Sequence, residues 1–110
     1  MRRSIPRKIK PILEELKACL KRIYGDRLEK IILYGSYARK EANKGSDIDI
    51  MVLLKDCKDL LEERAKISQA LWELDLKYDT LISVIPEDIY RYEKKEDPLI
   101  LNVKREGIIL

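Results

Sequence analysis

The sequence predicts a mixed α/β (α+β) sandwich, a small mixed β-sheet flanked by helices, and three observations carry that prediction. Apolar residues alternate along the chain between three- and four-residue steps and short continuous runs. The segments so defined follow the order helix, strand, strand, helix, strand, helix, helix. The strand runs are apolar on both faces, which requires cover on each side of the sheet. At 110 residues the chain is expected to form one domain spanning 1–110, because no repeat, low-complexity tract or linker divides it.

Ile9, Ile12, Leu13, Leu16, Cys19, Leu20 and Ile23 recur at helical spacing, with Pro11 tolerable near the first turn and Gly25 just past the end. Leu28 to Tyr34 ends in the β-branched and aromatic run Ile31-Ile32-Leu33-Tyr34, stopped by Gly35, and reads as a buried strand. Asp47 to Leu54 reads as a second strand: Ile48, Ile50, Val52 and Leu54 share one face, and Met51 and Leu53 follow the aspartates on the other. From Asp56 to about Leu76 helical spacing returns, with Leu60, Leu61, Ala65, Ile67, Ser68, Leu71, Trp72 and Leu74 on one stripe. That stripe puts Trp72 in the core, and Asp56 or Asp59 is placed to cap the helix.

A third strand is expected over Tyr78 to Ile85, its centre Thr80–Ile85, closed by a Pro86 that opens a short helix through Tyr92. Asp97 and Pro98 supply an N-cap and first turn for a last helix that Gly107 ends. The first two strands are expected to be antiparallel neighbours, and the helical crossover between the second and third sets those two parallel.

Composition excludes several classes of function. The 23 Lys and Arg against 20 Asp and Glu leave a net charge of only +3, which makes no case for nucleic-acid binding. The longest apolar run, Ile50 to Leu54, is far short of a membrane span, and Met1-Arg2-Arg3 leads into no apolar export segment. With no histidine, and with Cys19 and Cys57 isolated, zinc fingers, histidine acid–base chemistry and Ser-His-Asp or Cys-His triads are ruled out. Both thiols read as small packing residues, and a cytoplasmic location is expected.

The segment Gly35 to Asp49 does not read as scaffold. Asp47 and Asp49, two apart in a strand, leave one face with α-carbons about 7 Å apart and together can grip one or two divalent ions. Gly35 and Ser36 stand where the first strand stops and a helical turn through Arg39 starts; a glycine there lets a phosphate approach free backbone N–H groups, and Ser36 adds a hydroxyl. Ser46 reads as a turn hydroxyl, and nothing in the sequence fixes the direction of Arg39. A third acid is expected on the neighbouring strand to complete a metal site for phosphoryl chemistry. Asp79 fits best, ahead of Asp75 and Glu73 in the last helical turn.

Gly35-Ser36, ten intervening residues, then Asp47-Ile48-Asp49, with Arg39 in the gap and Asp79 opening a later strand, resembles the polymerase-β-type nucleotidyltransferase superfamily, in its minimal nucleotidyltransferase branch. The resemblance covers Ile31 to Pro86. It implies that Gly35 and Ser36, with Arg39, hold the phosphates of a nucleotide such as ATP. It implies further that Asp47, Asp49 and Asp79 hold magnesium or manganese, and that a nucleoside monophosphate passes to an acceptor hydroxyl. Lys40 departs from the pattern, since relatives often carry glycine after the arginine. A partner chain, or a second copy of this one, is then expected to supply acceptor specificity. In the minimal branch that partner is commonly a helical HEPN toxin, which the nucleotidyltransferase counters by adenylylation. The alternative is a catalytically silent binding module of the same fold that neutralises or scaffolds a partner.

Overall fold

The computed structural model describes residues 5–43 and 45–110; the Met1-Arg2-Arg3 start, Ser4 and Lys44 lie outside the described residues. A single 3-10 turn, Arg7–Ile9, leads into α1 (Lys10–Tyr24), whose Ile12, Leu13, Leu16 and Leu20 are buried as the spacing requires. A second short turn delivers β1 (Leu28–Tyr34). One helical turn, α2 (Ser36–Arg39), then β2 (Ile48–Leu54), α3 (Leu60–Tyr78), β3 (Ile82–Asp88), α4 (Ile89–Lys94), α5 (Pro98–Glu106) and β4 (Ile108–Ile109) complete the order.

The four strands form one mixed sheet in the order β3-β2-β1-β4. As expected, β1 pairs antiparallel with β2, from Leu28 opposite Leu54 to Tyr34 opposite Asp49, and β2 pairs parallel with β3. The sheet is covered on both faces. Ile31, Leu33, Ile48, Ile50, Val52, Leu54, Ile82 and Val84 join α1 and α3 in one core, whereas Ile32, Tyr34, Met51 and Leu53 meet Ile100 and Val103 of α5 in another. The alternation along β2 is thus apolar in both phases beyond its first residues, the signature of a central strand.

Four expectations need correction. The third strand runs Ile82–Asp88 in place of Thr80–Ile85, because Lys77 and Tyr78 extend α3: Lys77 pairs with Glu15 at 2.9 Å, and the Tyr78 hydroxyl donates to the same carboxylate. Pro86 lies inside β3 and does not close it, which an edge strand permits because one row of its N–H positions faces away from the sheet. The following helix therefore starts later, capped by Asp88, whose carboxylate accepts from the N–H groups of Tyr90 and Arg91. Trp72 is 60% exposed, because the stripe facing the sheet is Ile67, Leu71, Leu74 and Tyr78, and Trp72 lies about 100° round from Leu71. The two-residue β4, unseen in the sequence, hydrogen-bonds to β1.

Candidate active site

The antiparallel pairing of β1 and β2 brings the end of the first strand beside the start of the second. Tyr34, the last residue of β1, lies opposite Asp49, so Gly35 follows directly against that aspartate. The approach is close enough to exclude a side chain. A Cβ on Gly35 would stand 2.2 Å from Asp49 Oδ2, and the glycine has φ 76° and ψ −154°, a region essentially closed to other residues. Both requirements select glycine at this point.

Asp49 lies on the α5 side of the sheet, in phase with Met51 and Leu53. Burial and the charge of the nearby Asp47 push its carboxyl above the ordinary range, as does Glu106, against the pull of Arg39. The hydroxyl of the adjoining Tyr34 is pushed up to about 12 by burial and by the charge of Asp49. Two carboxylates that repel one another at a strand entrance, offering only oxygen ligands, suit a hard divalent cation that also keeps phosphate ligands of its own. The donor chemistry of Asp47 and Asp49 therefore fits magnesium or manganese.

Asp47 is exposed and, with Gly45, Ser46, Asp79, Thr80 and Tyr37, lines a cavity of about 570 Å³ whose apolar lining includes Ile9, Ile12 and Leu81. Asp79 reaches this cavity from a different position than its strand-start placement implied. It is the C-cap of α3 in a left-handed conformation (φ 47°), three residues before β3 begins. The β3 residue opposite Asp49 is Ser83. Among the described residues no three Asp, Glu, Cys or His side chains form a group that could hold a metal. Asp75, the rival acid, is structural: its Oδ1 accepts from Ile82 N–H at 3.1 Å and ties the end of α3 to the start of β3.

Around the glycine, Ser36 opens α2, and the backbone N–H of Arg39 donates to Gly35 O at 3.0 Å. Lys40 caps the turn at φ 61° and ψ 33°, the left-handed conformation that a glycine adopts freely, so the lysine keeps the turn at a conformational cost. Ser46 is a turn hydroxyl, accepting from Asn43 N–H at 2.9 Å. The sequence left Arg39 without a direction. Its guanidinium donates to Glu106 at 3.1 Å and to Glu41 at 3.1 Å. Glu106 was missed by the sequence reading. The signal for it was a glutamate in the last turn of a helix, where the helix dipole disfavours an anion.

A family model described as a nucleotidyltransferase domain matches residues 13–110, which takes in the whole sheet and both halves of this site. The chain belongs to the nucleotidyltransferase family. A Methanocaldococcus jannaschii relative named "Putative protein adenylyltransferase" is 40% identical over 74 residues, covering 67% of this nucleotidyltransferase and 74% of the relative. A crystal structure of a toxin–antitoxin with AMP-PNP aligns at TM-score 0.59 and 28% identity, over 87% of this nucleotidyltransferase and 70% of that chain. A structure of a tri-AMPylated Shewanella oneidensis HEPN toxin in complex with an MNT antitoxin aligns at TM-score 0.51 and 25% identity, over 89% of this chain and 70% of that one. Among the described residues no helix is long and apolar enough to cross a membrane.

Proposed function

We propose that this nucleotidyltransferase moves AMP from ATP to a protein hydroxyl, a tyrosine on a HEPN-type partner, as the antitoxin of a toxin–antitoxin pair. The observation that carries the reading is the contact between Gly35 and the Asp49 carboxylate, with no room for a side chain between them. It joins the turn suited to phosphates to the acids suited to a cation. The relative's adenylyltransferase name, the AMP-PNP of one structural neighbour and the AMPylated HEPN toxin of another support the choice of nucleotide, reaction and partner.

On this reading Asp47 and Asp49 hold magnesium or manganese, and the ion supplies charge neutralisation of the triphosphate and polarisation of the phosphorus under attack. Ser36 binds the terminal phosphates, Gly35 admits them by carrying no side chain, and the turn keeps the pyrophosphate leaving group in line. Asp79, which lines the same cavity as Asp47, orients the acceptor hydroxyl and takes its proton. The deciding experiment incubates ATP, Mg²⁺ and this protein with the product of its genomic neighbour and measures the intact mass of that neighbour. AMP additions that disappear with Asp47→Asn support the reading. The alternative is a silent binding module of the same fold. That reading wins if the neighbour is bound tightly, never modified, and neutralised equally by parent and variant.

A further inference from the structure

We infer that Glu106 is a positioning residue for the nucleotide turn, acting through Gly35 and Arg39; the functional part of this inference rests on the proposed reading of Gly35 and Ser36. One carboxylate bridges both ends of the turn. Its Oε1 accepts from Gly35 N–H at 3.1 Å and from the Arg39 guanidinium at 3.1 Å, and its Oε2 accepts from Arg39 at 3.3 Å. The residues between, Ser36, Tyr37 and Ala38, are thereby held from before and behind, while Arg39 N–H to Gly35 O closes the turn internally.

Glu106 is itself fixed. It is 8% exposed and ends α5, whose Ile100 and Val103 are buried against the sheet. The next residue, Gly107, packs so tightly that a Cβ there would stand 2.5 Å from Ile32 Cγ2 and 2.4 Å from Val103 O. Then β4 pairs Ile108 with Leu33 and Ile109 with Ile32, and Leu110 N–H donates to Ile31 O at 2.9 Å. The strand that carries Gly35 is therefore the same strand to which the chain around Glu106 is sewn. An anion at the C-terminal end of a helix runs against the helix dipole, and a buried carboxylate must be paired to persist. Arg39 and the Gly35 N–H meet that need, so a locally unfavourable residue is held where it serves the turn.

Two substitutions separate positioning from simple charge. Glu106→Gln keeps a carbonyl oxygen able to accept from Gly35 and Arg39; Glu106→Ala removes it. Calorimetry with ATP and Mg²⁺ should show affinity within about threefold of the parent for the glutamine variant and at least about tenfold weaker for the alanine variant, the scale of hydrogen bonds to a charged group. Amide exchange of Gly35 should accelerate at least about tenfold in the alanine variant while the central amides of β2 keep their protection. The inference is overturned if Glu106→Ala binds within twofold of the parent, if Gly35 exchange is unchanged, or if Glu106→Gln loses as much affinity as Glu106→Ala. Should the alanine variant fail to fold, a glutamine variant that loses tenfold in affinity or its Gly35 protection overturns it equally. A parent protein that binds no ATP defeats the functional reading, and the Gly35 exchange then decides the structural role of Glu106 alone.

Discussion

Gly35→Ala tests the juxtaposition on which the site rests. At φ 76° and ψ −154° a non-glycine residue costs about 1–3 kcal/mol of backbone strain. The new methyl group meets Asp49 at 2.2 Å from Oδ2, 3.0 Å from Cγ and 3.2 Å from Cβ, so the whole carboxylate must rotate away. Displacing a reacting group by about 1 Å costs on the order of a hundredfold in rate, and that is the expected loss of AMP transfer. Gly25 supplies the control. It also has a positive φ, 53°, but a Cβ there meets nothing within 4 Å, so Gly25→Ala should carry a comparable strain of about 1–3 kcal/mol and leave transfer unchanged. Urea unfolding measures the first quantity and labelled-ATP transfer the second. Transfer by Gly35→Ala within threefold of the parent would refute the argument, as would an equal loss in Gly25→Ala.

Leu71→Ala should cost about 2–5 kcal/mol, because Leu71 is fully buried, while Trp72→Ala beside it should cost less than about 0.5 kcal/mol; equal losses in urea unfolding would mean that α3 is rotated from the orientation described. Lys40→Gly should stabilise the fold by up to about 1 kcal/mol, since glycine relieves the left-handed strain and returns part of the gain as entropy of the unfolded chain. Because Tyr34 holds its proton up to about 12 in the folded state, its contribution to stability is complete below the ordinary tyrosine value near 10 and is lost as pH rises through the folded value. Tyr34→Phe should flatten that alkaline decline in a melting series. Asp47→Asn and Asp49→Asn should each lower transfer by about two orders of magnitude, and Asp79→Asn by about one, since only the first two form the close acidic pair; a loss for Asp79→Asn as large as theirs would restore the three-ligand arrangement.

The parts of the fold written in short-range pattern were legible. The three- and four-residue steps that mark α1 and the doubly apolar β2 set a two-faced sheet, and the lengths of the connections set which strands run antiparallel and parallel. Asp97, Pro98 and Gly107 bounded α5 to the residue. The misplacements share a cause: contacts distant in sequence decided them. The periodicity of α3 gives no stop at Leu76, and the turn that carries it to Tyr78 is held by Glu15, far back in α1. Pro86 ends a strand on local grounds, yet an edge position admits it. Trp72 and Leu71 are equally apolar, so only the rotation of the helix against the sheet separates surface from core. At the site, the meeting of Gly35 with Asp49 was readable because the connection between β1 and β2 lets two antiparallel strand ends lie side by side. Glu106 was not, since its partners lie 71 and 67 residues away.

The pairing of Asp47 with Asp49 at one strand entrance bears on how the proposed substrates assemble. A hard cation such as magnesium takes oxygen ligands, and in nucleotide sites it is commonly bound by one or two carboxylates together with substrate phosphates. With Ser83, not an acid, opposite Asp49 on β3, an ion held by Asp47 and Asp49 would draw further ligands from water and from the triphosphate. Ion and nucleotide should then strengthen one another's binding, and by the same factor in each direction, because linkage is reciprocal. At Asp49 the pull of Arg39 outweighs the charge of Glu106, so the acidity of the site rests on Asp47 and Asp49. On the proposed reading the acidic end of the site would repel a bare triphosphate and accept one that arrives with its cation, so the electrostatics of Asp47 and Asp49 would themselves enforce dependence on the metal.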